Sequence, residues 1–87
     1  MVLLRRITSA DGAVVIGLIK IKKIVYLAAL AADTVTLQDG AGNTVFSANG
    51  GAATSSQNFD FIDDPLNLPS GHKVSAISAS DVLYLYG

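Results

Sequence analysis

From Thr34 to Gln38 the chain alternates without a break, with Val35 and Leu37 on one side and Thr34, Thr36 and Gln38 on the other. Period-two alternation of this kind is the mark of a half-buried β-strand. Asp39-Gly40-Ala41-Gly42-Asn43 follows, residues that tolerate positive φ, and Thr44 to Ala48 returns as a partner, so a hairpin is predicted here. Similar short runs recur along the chain with turn residues about every 8–12 positions, the spacing of an all-β sandwich or barrel. Leu3 to Ser9 predicts a first strand closed by Asp11-Gly12, with Ala13 to Ile16 returning and Gly17 bending the chain. Ile19 to Leu27 predicts the longest strand, bulged where the adjacent Lys22 and Lys23 interrupt the alternation.

The remaining segments are less regular. Val25 to Ala32 fits two short helical turns or a strand running into a small-residue loop that ends at Asp33. The strand is preferred, because so short a helix is marginal without packing. Asn49 to Gln57 is rich in Gly, Ala and Ser and predicts a flexible loop or an arm that touches a partner. Asn58 to Ile62 sets Phe59 and Phe61 on one face, and Asp63-Asp64-Pro65 stops that strand. Pro69-Ser70-Gly71 turns the chain, and Lys73 to Ser78 resumes with Val74 and Ala76 together on one face. Val82 to Tyr86 is apolar on both faces, so one set of side chains has to be covered by something other than the strand's own core. With Tyr84 pointing inward, Leu83 and Leu85 become candidates for an oligomer interface, together with Leu3 from an N-terminal segment placed against the same region. The expected architecture is a single domain over residues 1–87, a small antiparallel β-sandwich or jelly-roll-like barrel.

Composition narrows what such a domain does. The chain has 87 residues and no Cys, so disulfides, thiolate metal sites and cysteine nucleophiles are excluded. It also has no Glu and one His, which leaves few groups able to move protons near neutral pH, and the protein is expected not to be an enzyme. Apolar residues make up 51% and charged residues 15%, and a chain this short buries only about 60% of its unfolded surface. Self-association is the natural remedy. Arg5, Arg6, Lys20, Lys22 and Lys23 against Asp11 give the first 23 residues a net charge of +4, and the remainder carries −5. The five basic residues are therefore candidates for a surface that meets an acidic partner. Nucleic acid is not the expected partner, since the basic residues are not interleaved with exposed aromatics and the pI is 5.5.

Several apparent sites dissolve on inspection. Lys20, Lys22 and Lys23 interrupt the apolar stretch Ala13 to Ala32, so no membrane span is expected. Ile24 to Ala31 has the outline of a signal peptide, but the apolar segment and Asp11-Gly12 turn upstream of it argue for structure and for assembly inside a cell. Asp60, Asp63 and Asp64 lack the spacing of a calcium loop, so no metal is expected. Gly40-Ala41-Gly42 is explained by the hairpin turn and precedes a strand, not a helix that could receive phosphate. Ser70, His72 and Asp81 show no spacing of a nucleophile elbow, and His72 is read as an exposed turn residue. No catalytic, cofactor-binding or metal residue is assigned, and no cofactor is expected.

The linear order of the features carries a resemblance. Ile19-Lys20-Ile21-Lys22-Lys23-Ile24-Val25, then Asp33-Thr34-Val35-Thr36-Leu37-Gln38-Asp39-Gly40, the Val45-Phe46 return, the Gly/Ala/Ser loop, Phe59-Asp60-Phe61 and the final Val-Leu-Tyr-Leu-Tyr strand resemble small β-sandwich virion proteins of tailed bacteriophages. The likeness covers roughly residues 14 to 87, and within that group the capsid decoration, or cement, proteins are the most similar. It departs from them at Pro69-Ser70-Gly71-His72, more polar than the apolar Gly-Leu entry common there. The resemblance implies a structural protein on the capsid surface, assembled in the host cytoplasm, that binds the major capsid protein as a homo-oligomer, with a homotrimer favoured. A tail, neck or fibre subunit and a small carbohydrate-binding sandwich are the alternatives.

Overall fold

The computed structural model describes residues 1–50 and 56–87, and every regular element in them is a β-strand. In chain order these are β1 (Leu3–Ile7), β2 (Ile19–Ile21), β3 (Lys23–Leu27), β4 (Thr34–Asp39), β5 (Thr44–Asn49), β6 (Ser56–Asp60), β7 (Leu66–Leu68), β8 (His72–Ile77) and β9 (Val82–Tyr86). They form a four-stranded sheet in the order β1-β9-β3-β6, a three-stranded sheet β5-β4-β8 and a β2-β7 pair, all antiparallel. The two larger sheets share one core, which makes the protein the small β-sandwich its alternation predicts.

Inner faces supply that core. Ile7, Ile24, Tyr26, Leu83 and Leu85 from the four-stranded sheet and Val35, Leu37 and Val74 from the other are at most 2% exposed. Full burial of a side chain of this size contributes about 1.5–3 kcal/mol, which is how the fold forms without cross-links. The 34–49 hairpin forms as its sequence predicts, and the Asp39 carboxylate accepts from the amides of Ala41 and Asn43 at 2.9 Å inside the turn. Val25 to Ala32 is strand to Leu27 and then loop, in line with the preferred reading.

Four expectations are corrected, each for a packing reason. Ile19 to Leu27 is not one bulged strand: the chain breaks at Lys22, whose amide donates to the Tyr86 carbonyl at 2.8 Å and whose carbonyl accepts from the Phe61 amide at 2.7 Å. Ile21 and Ile24 are both fully buried, and an unbroken strand would turn residues three apart to opposite faces. Ala13 to Ile16 forms no hairpin with β1, which pairs with β9 instead; Val15 exchanges two backbone hydrogen bonds with His72 along the edge of β8. Val74 and Ala76 do not share a face, because the β4-β8 register slips, setting Val74 opposite Leu37 and Ala76 opposite Thr36. Ser75 is the extra residue, so Val74 is buried and Ala76 exposed.

The fourth correction concerns β9. Leu83 and Leu85 are fully buried inside the subunit, between β1 and β3, and so are not interface residues; Val82, Tyr84 and Tyr86 point outward. Period-two alternation allows either set to be the inner one, and pairing with β1 and β3 sets Leu83 and Leu85 level with the buried Ile7, Ile24 and Tyr26. Strand β7, between Pro65 and Pro69, is not among the elements the sequence predicts. Of the loop expected over 49–57, residues 51–55 lie outside the described residues, Asn49 ends β5, and Ser56 and Gln57 open β6.

The corrected placement has a measurable consequence. Leu83→Ala and Leu85→Ala each lower stability by about 2–5 kcal/mol in urea unfolding, the range for truncating a buried leucine, while Tyr84→Ala lowers it much less.

Candidate functional site

The buried titratable groups form two clusters. Arg5 on β1 grips Asp11 with two parallel hydrogen bonds, Nη1 to Oδ2 at 3.0 Å and Nη2 to Oδ1 at 2.9 Å. Asp11 Oδ2 also accepts from the Val74 amide at 2.9 Å, so β1, the 8–12 loop and β8 are tied together. Arg5 Nη1 lies 3.0 Å from His72 Nε2. A guanidinium has no acceptor, so Nε2 accepts and the proton sits on Nδ1. His72 is 3% exposed and its Nδ1 has no hydrogen-bond partner among the described residues. The exposed turn histidine expected from sequence is therefore a buried neutral one. Gly71, at φ 107°, makes the sharp entry possible, and a Cβ there would lie 2.5 Å from the Val15 carbonyl oxygen.

Burial first, and the facing Arg5 charge second, push the His72 pKa below its ordinary value, with Asp11 opposing them. The hydrogen bonds from Arg5 lower the Asp11 pKa, against a smaller effect of burial, and the same pair keeps Arg5 charged. With its basic nitrogen occupied by a cation, His72 is not a general base.

The second cluster holds the other end of the sandwich. Asp81, 1% exposed, accepts from the Tyr26 hydroxyl at 2.5 Å and from the Ala29 amide at 2.8 Å. Burial opposes its charge, but these donors and Asp33 outweigh it and hold the pKa below the usual value, while Asp81 as neighbour raises that of Asp33. Burial, then Asp81, raises the Tyr26 pKa far above the phenolic range. Asp81 is thus bound to Tyr26 and His72 to Arg5, and Ser70, His72 and Asp81 form no triad. Among the described residues no group of three acidic or histidine side chains is placed to hold a metal.

The outer face of the four-stranded sheet is different in kind. Register sets its side chains in three cross-strand rows: Leu3, Tyr86, Lys23 and Asp60; Arg6, Tyr84, Val25 and Asn58; Val82, Leu27 and Ser56. Six of these are apolar or aromatic and none is fully buried, with Leu3 48% exposed. Tyr84 and Tyr86 lie nearly parallel, with ring centroids 6.4 Å apart at 28°, side by side on this face. Met1, Val2 and Leu4 extend the apolar surface at 65%, 68% and 40% exposure.

The basic candidates divide. Arg5 is committed to Asp11 and His72 and is corrected from a partner-facing residue to an internal clamp. Arg6 stands beside Tyr84 and Lys23 beside Tyr86, on the outer face. Lys22 bonds through its backbone to Tyr86, and the Lys20 carbonyl packs against Gly87, so these lysines belong to the same end of the sheet. Tyrosine and arginine at the centre of a patch are the residue types that dominate protein-binding energetics. Sequence reasoning missed Tyr84 and Tyr86 as surface residues; only the pairing of β9 with both β1 and β3 shows which way they face. Compared with protein-family models, curated proteins and solved structures, the chain matches none.

Two measurements follow. The unfolded chain, with His72 near 6.5, binds a proton before the folded one does, so this contribution is present above about pH 6.5 and is lost as pH falls below it. The melting temperature therefore drops between about pH 7.5 and 5.5, and His72→Gln flattens that drop. Tyr26→Phe leaves Asp81 short of a donor in a buried place and lowers stability by about 1–3 kcal/mol in denaturant titration.

Proposed function

We propose that the protein is a structural component of a bacteriophage virion, a capsid decoration protein that stabilises the shell by binding the major capsid protein. The observation that carries this reading is the outer face of the β1-β9-β3-β6 sheet, where an apolar and aromatic patch with Arg6 and Lys23 among it is left uncovered by the subunit's own core. A binding role needs such a face and no catalytic group, and the ionisable clusters inside the sandwich are taken up by structural bonds. Many copies bound to one lattice also make weak individual contacts effective. The resemblance to small phage virion proteins supplies the setting.

Quantitative mass spectrometry and electron microscopy of the virus particles test it. A copy number near that of the major capsid protein supports decoration, a few copies at one vertex supports a tail, neck or fibre subunit, and absence from the particle refutes both. The Tyr84 and Tyr86 pair also suits a sugar ring, so a carbohydrate-binding sandwich is the second reading. Glycan-array binding that Tyr84→Ala abolishes would favour it.

If the outer face makes the attachment, Tyr84→Ala reduces occupancy on particles. The double charge reversal Arg6→Glu and Lys23→Glu weakens binding of the protein to particles and changes the sign of its salt dependence, measured by co-sedimentation over a range of ionic strength.

A further inference from the structure

The two larger sheets end in four strand edges, and three of these are guarded. β1 carries the outward-facing Arg6, β6 ends on Asp60, and the edge of β8 is covered by backbone hydrogen bonds to Asp11 and Val15. β5 is the exception: Thr44-Val45-Phe46-Ser47-Ala48-Asn49 has no charged residue and no proline. One irregularity protects its start, since Val45 is an extra residue where the β4-β5 register slips. Beyond it Phe46, Ser47 and Ala48 run regularly opposite Leu37, Thr36 and Val35. Among the described residues the side of this run turned away from β4 meets no hydrogen-bond partner; only Asn49, at its end, accepts from Gln57 Nε2 at 2.6 Å. An edge of this kind is a template for another strand.

Side chains next to the edge point the same way. All three phenylalanines of the chain gather there: Phe46 meets Phe59 edge to face at 4.9 Å between centroids and Phe61 at 6.3 Å, and each is only half-buried. The aromatic cluster next to the edge is thus only partly covered among the described residues.

We propose that β5 is a self-association edge, at which two copies of the chain pair antiparallel about a two-fold axis through Ser47 and join their three-stranded sheets into one of six strands. An uncharged strand can oppose itself without like charges meeting, whereas β1 brings the unpaired charge of Arg6 to its edge. Inward residues must oppose inward residues across the pair. An axis at Ser47 meets that condition and sets Phe46 opposite Ala48 of the second copy and Ala48 opposite its Phe46, large against small on both sides. An axis at Phe46 would crowd two phenyl rings, and one at Ala48 would leave Phe46 beyond the end of the opposing strand. The second copy also brings its own phenylalanines towards the partly covered cluster. This inference goes beyond the virion reading and does not rest on it.

Light scattering of the full chain at tens of micromolar tests the contact. A mass twice the 9.0 kDa of one chain is expected. Ser47 is exposed and faces away from the core, so Ser47→Lys keeps the fold, checked by far-UV circular dichroism, and sets two like charges opposite each other at the axis. It weakens the dimer by about tenfold or more. Mixing Ser47→Lys with Ser47→Asp restores association as a heterodimer, which only this register predicts. A monomer at about 100 µM, a trimer mass, or an S47K dimer as tight as wild type overturns the proposal. Particle attachment by a monomeric wild type would overturn it while leaving the proposed function standing.

Discussion

With no disulfide to restrain it, this chain depends on one contact, the meeting of two inner faces across the sandwich. Ile24, Tyr26, Leu83 and Leu85 on one side and Val35, Leu37 and Val74 on the other are all shut off from water. The irregularities of the backbone serve that contact. The break at Lys22 lets Ile21 and Ile24 both turn inward, and the extra residue at Ser75 keeps Val74 in while Ala76 goes out. Regular pairing alone would have left one of each pair on the wrong side.

The polar groups inside the sandwich are fastenings. A buried polar group contributes little when paired and is destabilising when left alone, which explains why the two clusters sit where sheets have to be tied to loops. Arg5 and Asp11 hold β1 to β8, and Asp81 with Tyr26 and Ala29 holds the start of β9 to the end of β3. The only histidine and the only fully buried carboxylate of the described residues are used up in this way. Among the described residues, what remains free to act on other molecules is surface: an aromatic face on one sheet and an uncharged edge on the other.

Much of the fold was legible along the chain, because the 34–49 hairpin has both clean alternation and turn residues that adopt the required backbone. Legibility failed where local pattern carries no parity. Val82 to Tyr86 is apolar at every position, so nothing in it tells Leu83 from Tyr84, and the inner set is decided by neighbours from distant parts of the sequence. His72 follows Pro69-Ser70-Gly71 and reads as a turn residue; its burial comes from Val15 crossing over it and from Arg5 on another strand. Arg5 and Arg6 are adjacent and chemically alike, yet one points into the sandwich and the other out. Strand β7 is three residues long between prolines, too short for periodicity to register. The aromatic half of the candidate surface was hidden for the same reason as β9, and its basic half, Arg6 and Lys23, was visible as charge alone.

The position of β9 also orders events in time. It lies between β1 and β3, yet every other strand precedes it in the chain. During synthesis on a ribosome β1 emerges long before β9 and has no sheet partner until β9 follows, so the four-stranded sheet cannot close before Tyr86 has been made. Contacts between such distant segments slow folding, and the apolar flank of β3 waits in the open meanwhile. Completion of the sandwich is therefore a late step in folding, and a chain cut short before Val82 would present a ready slot for a strand from elsewhere.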